Sequence, residues 1–167
     1  MRSRLYILFN SLTAESRTMI EHITLDLIDH ADQRYNSVGD WFLNEHDPTH
    51  LIVKVTRLPD LALAFAQWAV GIHELVEALA ALAAGVTVAE VDVFDKQFEI
   101  DHSHDDLEPG DDPRCPVFQQ HQLALEVERM FIKALGVEWE QYETEMDKPW
   151  LKRRRAEARR HARQSTK

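Results

Sequence analysis

The longest apolar stretch of the chain, from Leu61 to Ala84, limits what the chain can fold into. Its length approaches that of a membrane-spanning helix. It nevertheless contains four polar or ionisable residues, Gln67, His73, Glu74 and Glu77. Carboxylates in the middle of a span are costly in lipid, so we expect a buried helix of a soluble domain and no membrane partner.

The ionisable residues of this helix form an HExxE sequence, His73-Glu74-Leu75-Val76-Glu77. Residues four apart share a face of a helix, so His73 and Glu77 can both reach one metal ion. Glu74 projects about 100° away from them. From there it can act as general base on a metal-bound water, as the glutamate of HExxH does.

A later helix, predicted from Val117 to Leu135, carries two polar residues on its apolar face. At about 100° per residue, that face collects Phe118, Leu123, Val127, Phe131, Ile132 and Leu135. His121 and Glu128 lie within the same arc. Buried ionisable groups need partners or a role, so we expect this pair to meet the HExxE residues across a helix interface.

The expected site is a divalent metal ion held by His73, Glu77 and His121, with Glu128 as a further ligand. Zinc is the first choice, and manganese or iron also suit a set of imidazoles and carboxylates. The alternative is a buried polar network without a metal, in which Glu128 pairs with Arg57 or His121.

The pattern of the remaining chain indicates an α+β domain whose strands come first. Alternation and β-branched residues predict strands at Ile20–Ile28 and Leu51–Leu58, with a short strand at Trp41-Phe42-Leu43 between them. Turn residues at 36–40 and 46–50 flank the short strand. We therefore expect a small antiparallel sheet.

About three helices are expected to follow this sheet. The first covers Pro59–Gly85, because proline suits a helix start and glycine a helix end. A capping box at Thr87–Glu90 opens a shorter helix that runs to about Phe98. The third is the helix with His121, and Val137–Tyr142 is expected to add one helical turn.

The loop between the second and third helices is rich in metal-binding residue types, namely Asp101, His102, His104, Asp105 and Asp106. Its composition is more typical of a solvated, flexible loop. Asp92 and Asp95 on the second helix are also interpreted as solvated acids, with a role near the metal as the alternative.

Charge is divided unevenly along the chain. Residues 148–167 contain nine Lys and Arg and one acid, so their net charge is +8. The whole chain has a net charge of −10, which leaves −18 on the other 147 residues. We expect residues 1–18 to be an N-terminal extension, with Met19 as the alternative start, 19–147 to be the metal-binding domain, and 148–167 to be a basic helical tail. Only the tail is expected to contact nucleic acid or another anionic partner.

Cysteine content and the N-terminal sequence bear on localisation. Cys115 is the only cysteine, so an intrachain disulfide is excluded. The apolar run Leu5–Phe9 is too short for a signal peptide. A cytoplasmic protein is expected.

A strand such as LIVKVTRL followed by a helix with a central HE resembles the core of the zincin metallopeptidases, over roughly Leu51 to Leu135. The chain also resembles a group of small bacteriophage and prophage proteins in four motifs, Gly39-Asp40-Trp41, HELVEA, PGDDP, and a helix with His121 and Glu128-Arg129. The first resemblance implies a sheet packed on a metal-binding helix, with a third ligand from a later helix. Glu77 stands where zincins have a second histidine.

Two hypotheses about function follow. In the first, the chain is a metal-dependent hydrolase of a peptide, amide or phosphate bond, zincin-like and of phage origin, located in the cytoplasm of the host cell. In the second, the same scaffold is catalytically inactive and acts as a binding or regulatory protein for a host protein, or as an assembly component.

The tail yields a testable prediction. Trp150, Leu151 and a few alanines are its only residues suited to packing, which is too little apolar area to hold a helix against the domain. Deletion of the residues after Pro149 should therefore leave the melting temperature and the metal content nearly unchanged. A truncated chain that unfolds or loses metal would show that the tail is an integral part of the domain.

Overall fold

The structure, a computed structural model, describes residues 19–35, 37–57, 64–65, 67–102 and 108–146. Within these ranges three strands precede four helices, in the order β1 (His22–Ile28), β2 (Gly39–Asn44), β3 (Asp47–Thr56), α1 (Gln67–Ala84), α2 (Val88–Asp101), α3 (Phe118–Ala134) and α4 (139–146). The predicted α+β class is confirmed. The N-terminal extension, the basic tail and Pro59 lie outside the described residues.

The three strands form one mixed sheet in the order β1-β3-β2. β2 and β3 are antiparallel, whereas β1 runs parallel to β3, with His22 opposite His50 and Ile28 opposite Thr56. The prediction of an antiparallel sheet is therefore wrong for β1. Only β2 and β3 are joined by a tight turn, at 45–46, and the longer connection from β1 to β2 leaves room for β3 to insert between them.

The predicted turn at 46–50 is also mostly strand, because β3 begins at Asp47. Pro48 precedes the residues of β3 that pair with β1, so its missing N–H removes no hydrogen bond from that ladder. The turn itself is confined to residues 45–46.

β3 is the central strand and supplies the middle of the hydrophobic core. Leu51, Val53 and Val55 alternate along it and have no exposed surface. They pack in one cluster with small residues of α1, among them Ala78 and Ala81. Small side chains let the helix lie close to the sheet, which fixes the position of HExxE above β2 and β3.

The helix ends follow the signals in the sequence, except at the start of α1. Gly85 and Gly136 adopt positive φ angles of 83° and 71° after α1 and α3, where glycine is the preferred residue. Thr87 and Glu90 form the predicted capping box at the start of α2. Residues 64–65 form a turn ahead of Gln67, so α1 does not extend back to Pro59 as one continuous helix.

The helix α4 is longer than the single turn predicted for Val137–Tyr142. Trp139 and Tyr142 project from it toward α3, with the two ring centroids 5.2 Å apart. Tyr142 is only 2% exposed, so α4 is a full part of the core rather than an appendage. Within the described part of the chain, no helix has the length and apolar character needed to cross a bilayer.

Candidate metal centre

The helices α1 and α3 meet through two pairs of buried ionisable residues. His73 and Glu77 of α1 and His121 and Glu128 of α3 are each only 7–8% exposed. His73 Nδ1 lies 2.8 Å from Glu128 Oε2, and His121 Nδ1 lies 2.9 Å from Glu77 Oε2. The sequence pattern predicts this meeting of the HExxE residues with the two polar residues of the later helix.

Three side-chain atoms from these residues converge on one point. His73 Nε2 lies 3.1 Å from His121 Nδ1 and 3.6 Å from Glu77 Oε2, and the third side of the triangle is the 2.9 Å contact between His121 and Glu77. A tetrahedral ion with bonds of ~2.0–2.1 Å separates its ligand atoms by about 3.3 Å. The triangle therefore has the dimensions of one face of a tetrahedral metal site, and the three residues could hold a divalent ion.

In each of the three side chains, the outer atom, which is the nitrogen or oxygen that points away from the triangle, contacts another residue. Trp41 Nε1–H of β2 donates to Glu77 Oε1 over 2.8 Å. His73 Nδ1 is paired with Glu128, and Asp111 Oδ1 lies 3.5 Å from His121 Nε2. An ionised carboxylate can only accept, so Glu128 keeps a proton on the outer nitrogen of His73, and the inner nitrogen is the one that could bind a metal ion.

Glu128 stands behind His73 rather than beside the three converging atoms. One carboxylate oxygen contacts the outer nitrogen of His73, and the other accepts a hydrogen bond from the hydroxyl of Tyr142. These linked hydrogen bonds, from Tyr142 of α4 through Glu128 of α3 to His73 of α1, fix the orientation of the His73 ring. Such a carboxylate–histidine pair is the usual outer support of a metal ligand.

The electrostatics of the cluster favour a positive charge at its centre. Burial opposes a charge on His73, but the carboxylates of Glu128 and Glu77 outweigh that effect and raise the pKa of the imidazole to about 11. Burial likewise opposes ionisation of Glu77, but hydrogen bonds from His121 and His73 prevail and lower its pKa to about 2. The carboxylate of Glu77 thus remains negative and attracts a cation.

Two glycines provide the space that this arrangement needs. A Cβ atom at Gly110 would overlap the ring of His121, and one at Gly39 would overlap the carboxylate of Glu74. Gly110 lies in the short 3-10 turn Pro109–Asp111, which packs against α3. The site is therefore enclosed by backbone on two sides.

Glu74 rests against the backbone of β2 at Gly39 and lines the same cavity as the three converging residues. Among the described residues, no side chain donates a hydrogen bond to it. Burial, followed by the negative charge of Glu77, raises the pKa of Glu74 well above its ordinary value. Its carboxylate is thus available to a ligand in the cavity.

The cavity has a volume of about 740 Å³. Its walls come from β2, α1, α2, α3, α4 and the 3-10 turn, and the three converging residues lie in the wall formed by α1 and α3. Arg34 forms a bidentate pair with Asp40 at its edge, with distances of 2.7 and 2.8 Å. A volume of this size is typical of small-molecule sites.

A second group of ligand atoms shares His121 with the first. Glu108, Asp111 and His121 offer one atom each, and these atoms lie within 4.8 Å of one another. Residues 109–111 of this loop form the 3-10 turn that packs against α3, with Gly110 against the ring of His121. His104, Asp105 and Asp106 lie outside the described residues.

Other residues singled out from the sequence have partners of their own. Asp92 accepts a hydrogen bond from Tyr35 over 3.1 Å and lies 3.4 Å from Arg34, so it is not simply a solvated acid. His102 stacks on Phe98 at 4.2 Å. Arg57 donates to the carbonyl of a neighbouring strand rather than to Glu128.

Sequence reasoning missed the outer partners Trp41, Asp111 and Tyr142 and the two glycines. Four of these five residues lie in the motifs Gly39-Asp40-Trp41 and PGDDP, which were noted only for their resemblance. A glycine next to a hydrogen-bonding side chain in a loop is the signal that could have identified them. Nothing in the sequence marks Tyr142.

Comparisons of the chain with family models, with curated proteins and with solved structures find no match. The interpretation of the site therefore depends on its own geometry and chemistry.

Asp95 of α2 offers a test of the electrostatics in this cavity. Burial, and then the negative charges of Glu77, Asp40, Asp92 and Glu99, raise its pKa from 3.8 to about 7. Asp95 therefore ionises at a lower pH in the unfolded chain than in the folded protein. As the pH rises from about 4 to about 7, this difference lowers the stability of the folded state. We predict that Asp95→Asn increases the free energy of unfolding at pH 8 by about 1 kcal/mol, or about 2–4 °C in melting temperature.

The measurement is thermal unfolding of the metal-free protein at pH 4 and pH 8. The gain should be absent at pH 4, where Asp95 is protonated in the folded state. Glu126→Gln removes an exposed charge from α3 outside the cavity and serves as the control. Equal stability of Asp95→Asn and wild type at pH 8 would contradict the prediction.

Proposed function

We propose that the protein is a metal-dependent hydrolase whose ion is bound by His73, Glu77 and His121. The observation that carries this proposal is the triangle of three inward-facing atoms with sides of 2.9, 3.1 and 3.6 Å. The raised pKa of His73 holds a proton in this triangle, and a metal ion would displace that proton and take its place between the three atoms. A catalytic metal site typically has three protein ligands and keeps the next position for water or substrate.

Zinc is the ion that we propose first. Two imidazoles and one carboxylate form a common catalytic zinc set, and the spacing of the ligand atoms suits tetrahedral geometry. Manganese and iron are the alternatives, since both accept the same ligand types. Glu128 is proposed as the outer partner of His73, where it would raise the basicity of the ligand and hold its tautomer.

The chemistry that we propose is hydrolysis with Glu74 as general base. The ion would lower the pKa of a water molecule and polarise the bond that is attacked. Glu74 takes the proton from the attacking water as the oxygen bonds to the carbonyl carbon. The same carboxyl group then returns a proton to the leaving nitrogen as the carbon–nitrogen bond breaks.

This proposal retains a likeness to zincins and departs from them in one ligand. As in zincins, a sheet lies against the helix that carries HE, and a later helix supplies a further histidine. Glu77 takes the place of the second histidine of HExxH. The complete set of two imidazoles and one carboxylate is still a common catalytic zinc set, with the carboxylate at a different place in the sequence.

Metal binding is the first test of the proposal. The purified full chain should bind about one equivalent of zinc, and His121→Ala should weaken binding beyond the about 10–100-fold loss expected for removal of an outer partner. His102→Ala is the matched control, because His102 lines the same cavity but belongs to neither group of ligand atoms. The measurement is competitive titration of zinc against a chromogenic chelator.

Two outcomes would contradict the proposal. One is zinc far below one equivalent in the wild type, which would leave a buried polar network as the interpretation of the cluster. The other is an equal loss of affinity in His121→Ala and His102→Ala, which would place the ion elsewhere in the cavity.

Activity is tested by Glu74→Gln. This change removes the base but keeps the shape of the side chain, so turnover of a fluorogenic peptide mixture should fall by about 10²–10⁴-fold while the metal content stays the same. Retention of full activity would exclude Glu74 as the base. Absence of hydrolysis in the metal-loaded wild type would favour the binding or regulatory protein.

A further inference from the structure

The walls of the cavity around the metal centre are strongly acidic. Beyond the residues of the centre itself and Asp40, which is paired with Arg34, six carboxylates line them, namely Asp92, Asp95 and Glu99 of α2, Glu108 and Asp111 beside the 3-10 turn, and Glu143 of α4. They come from three separate elements that surround the space. A ligand in the cavity therefore experiences negative charge from several directions.

The positive side chains of the cavity do not balance these acids. Arg34 and Arg129 are the Lys and Arg residues of the lining in the described part of the chain. Arg34 is already bound to Asp40 through both carboxylate oxygens. Arg129 stands over the ring of Trp139 at 4.9 Å. The net charge of the lining stays negative even after a divalent ion is added to the centre.

Asp95 is the wall carboxylate that most lacks a counter-charge. Its side chain is half-buried on α2. Among the described residues, no side chain donates a hydrogen bond to it or forms an ion pair with it. Its electrostatic neighbours are the carboxylates of Glu77, Asp40, Asp92 and Glu99. A cationic group placed here would pair with an acid to which none of the described side chains donates a hydrogen bond.

Aromatic rings in the same walls already contact cationic side chains of the protein itself. The guanidinium of Arg34 lies 5.1 Å from the ring of Tyr35, and that of Arg129 lies over Trp139. Both rings line the cavity. Aromatic faces combined with carboxylates form the usual environment for ammonium and guanidinium groups.

We propose that the substrate of this cavity is a peptide with a lysine or arginine side chain next to the amide bond that is cleaved. The basic side chain lies between α2 and the metal centre, with its charge at Asp95, and the amide lies at the ion and Glu74. This inference rests on the proposed hydrolase function. It excludes phosphate esters and nucleic acid as substrates, because the acidic walls repel them.

The substrate class is tested by binding, independently of turnover. The probes are three fluorescently labelled, blocked pentapeptides that differ only in a central lysine, leucine or glutamate. Their dissociation constants are measured by fluorescence anisotropy on Glu74→Gln protein at low salt, with zinc and again after treatment with EDTA. We expect the lysine peptide to bind about 10-fold or more tightly than the glutamate peptide.

The substitution Asp95→Asn, made in the Glu74→Gln protein, tests whether Asp95 is the residue that selects the lysine peptide. It should weaken binding of the lysine peptide by about 3–10-fold and leave the leucine peptide unaffected. Glu126→Gln removes the same charge outside the cavity and should change neither. Circular dichroism confirms that each variant is folded.

Several results would overturn the proposal. These are equal or tighter binding of the glutamate peptide, absence of binding by all three peptides, or an unaltered preference in Asp95→Asn. Failure of the hydrolase function has a different signature, because the preference for lysine would then be found, with and without EDTA, in a protein that binds no zinc at the triangle.

Discussion

The contact between α1 and α3 is the interaction on which the rest of the structure depends. Four buried ionisable groups meet there, and a buried charge without a partner costs several kcal/mol. His73 pairs with Glu128 and His121 with Glu77, so each helix supplies partners for the other. The surrounding elements then complete the set, with Trp41 from β2 and the hydroxyl of Tyr142 from α4 bonded to the two carboxylates.

This arrangement is poor as a device for stability and well suited to binding an ion. Hydrophobic residues of similar volume would hold two helices together at least as well as buried ion pairs do. The outer atoms of His73 and Glu77 are fixed by hydrogen bonds, while their inner atoms face one another at 3.6 Å. Outer atoms that are held by other residues and inner atoms that converge on one point form the pattern of a preorganised coordination site.

Periodicity made the main contact predictable, because His121 and Glu128 interrupt an apolar helix face that can only pack against another apolar face. The strand order was not predictable in the same way, since alternation marks Ile20–Ile28 as a strand without revealing which neighbour it pairs with. Tyr142 was missed because its hydrogen bond to Glu128 depends on how α4 packs against α3. Local pattern thus identified the residues of the centre, and tertiary packing determined what supports them.

X-ray absorption spectroscopy of the zinc-loaded chain, combined with anomalous diffraction at the zinc edge, tests the central claim most directly. The account predicts one ion between α1 and α3, with two imidazole nitrogens and a carboxylate oxygen at about 2.0–2.2 Å. The nitrogens should be Nε2 of His73 and Nδ1 of His121, with Glu128 outside the coordination shell. An ion held instead by Glu108 and Asp111, or no ordered ion at the triangle, would contradict it.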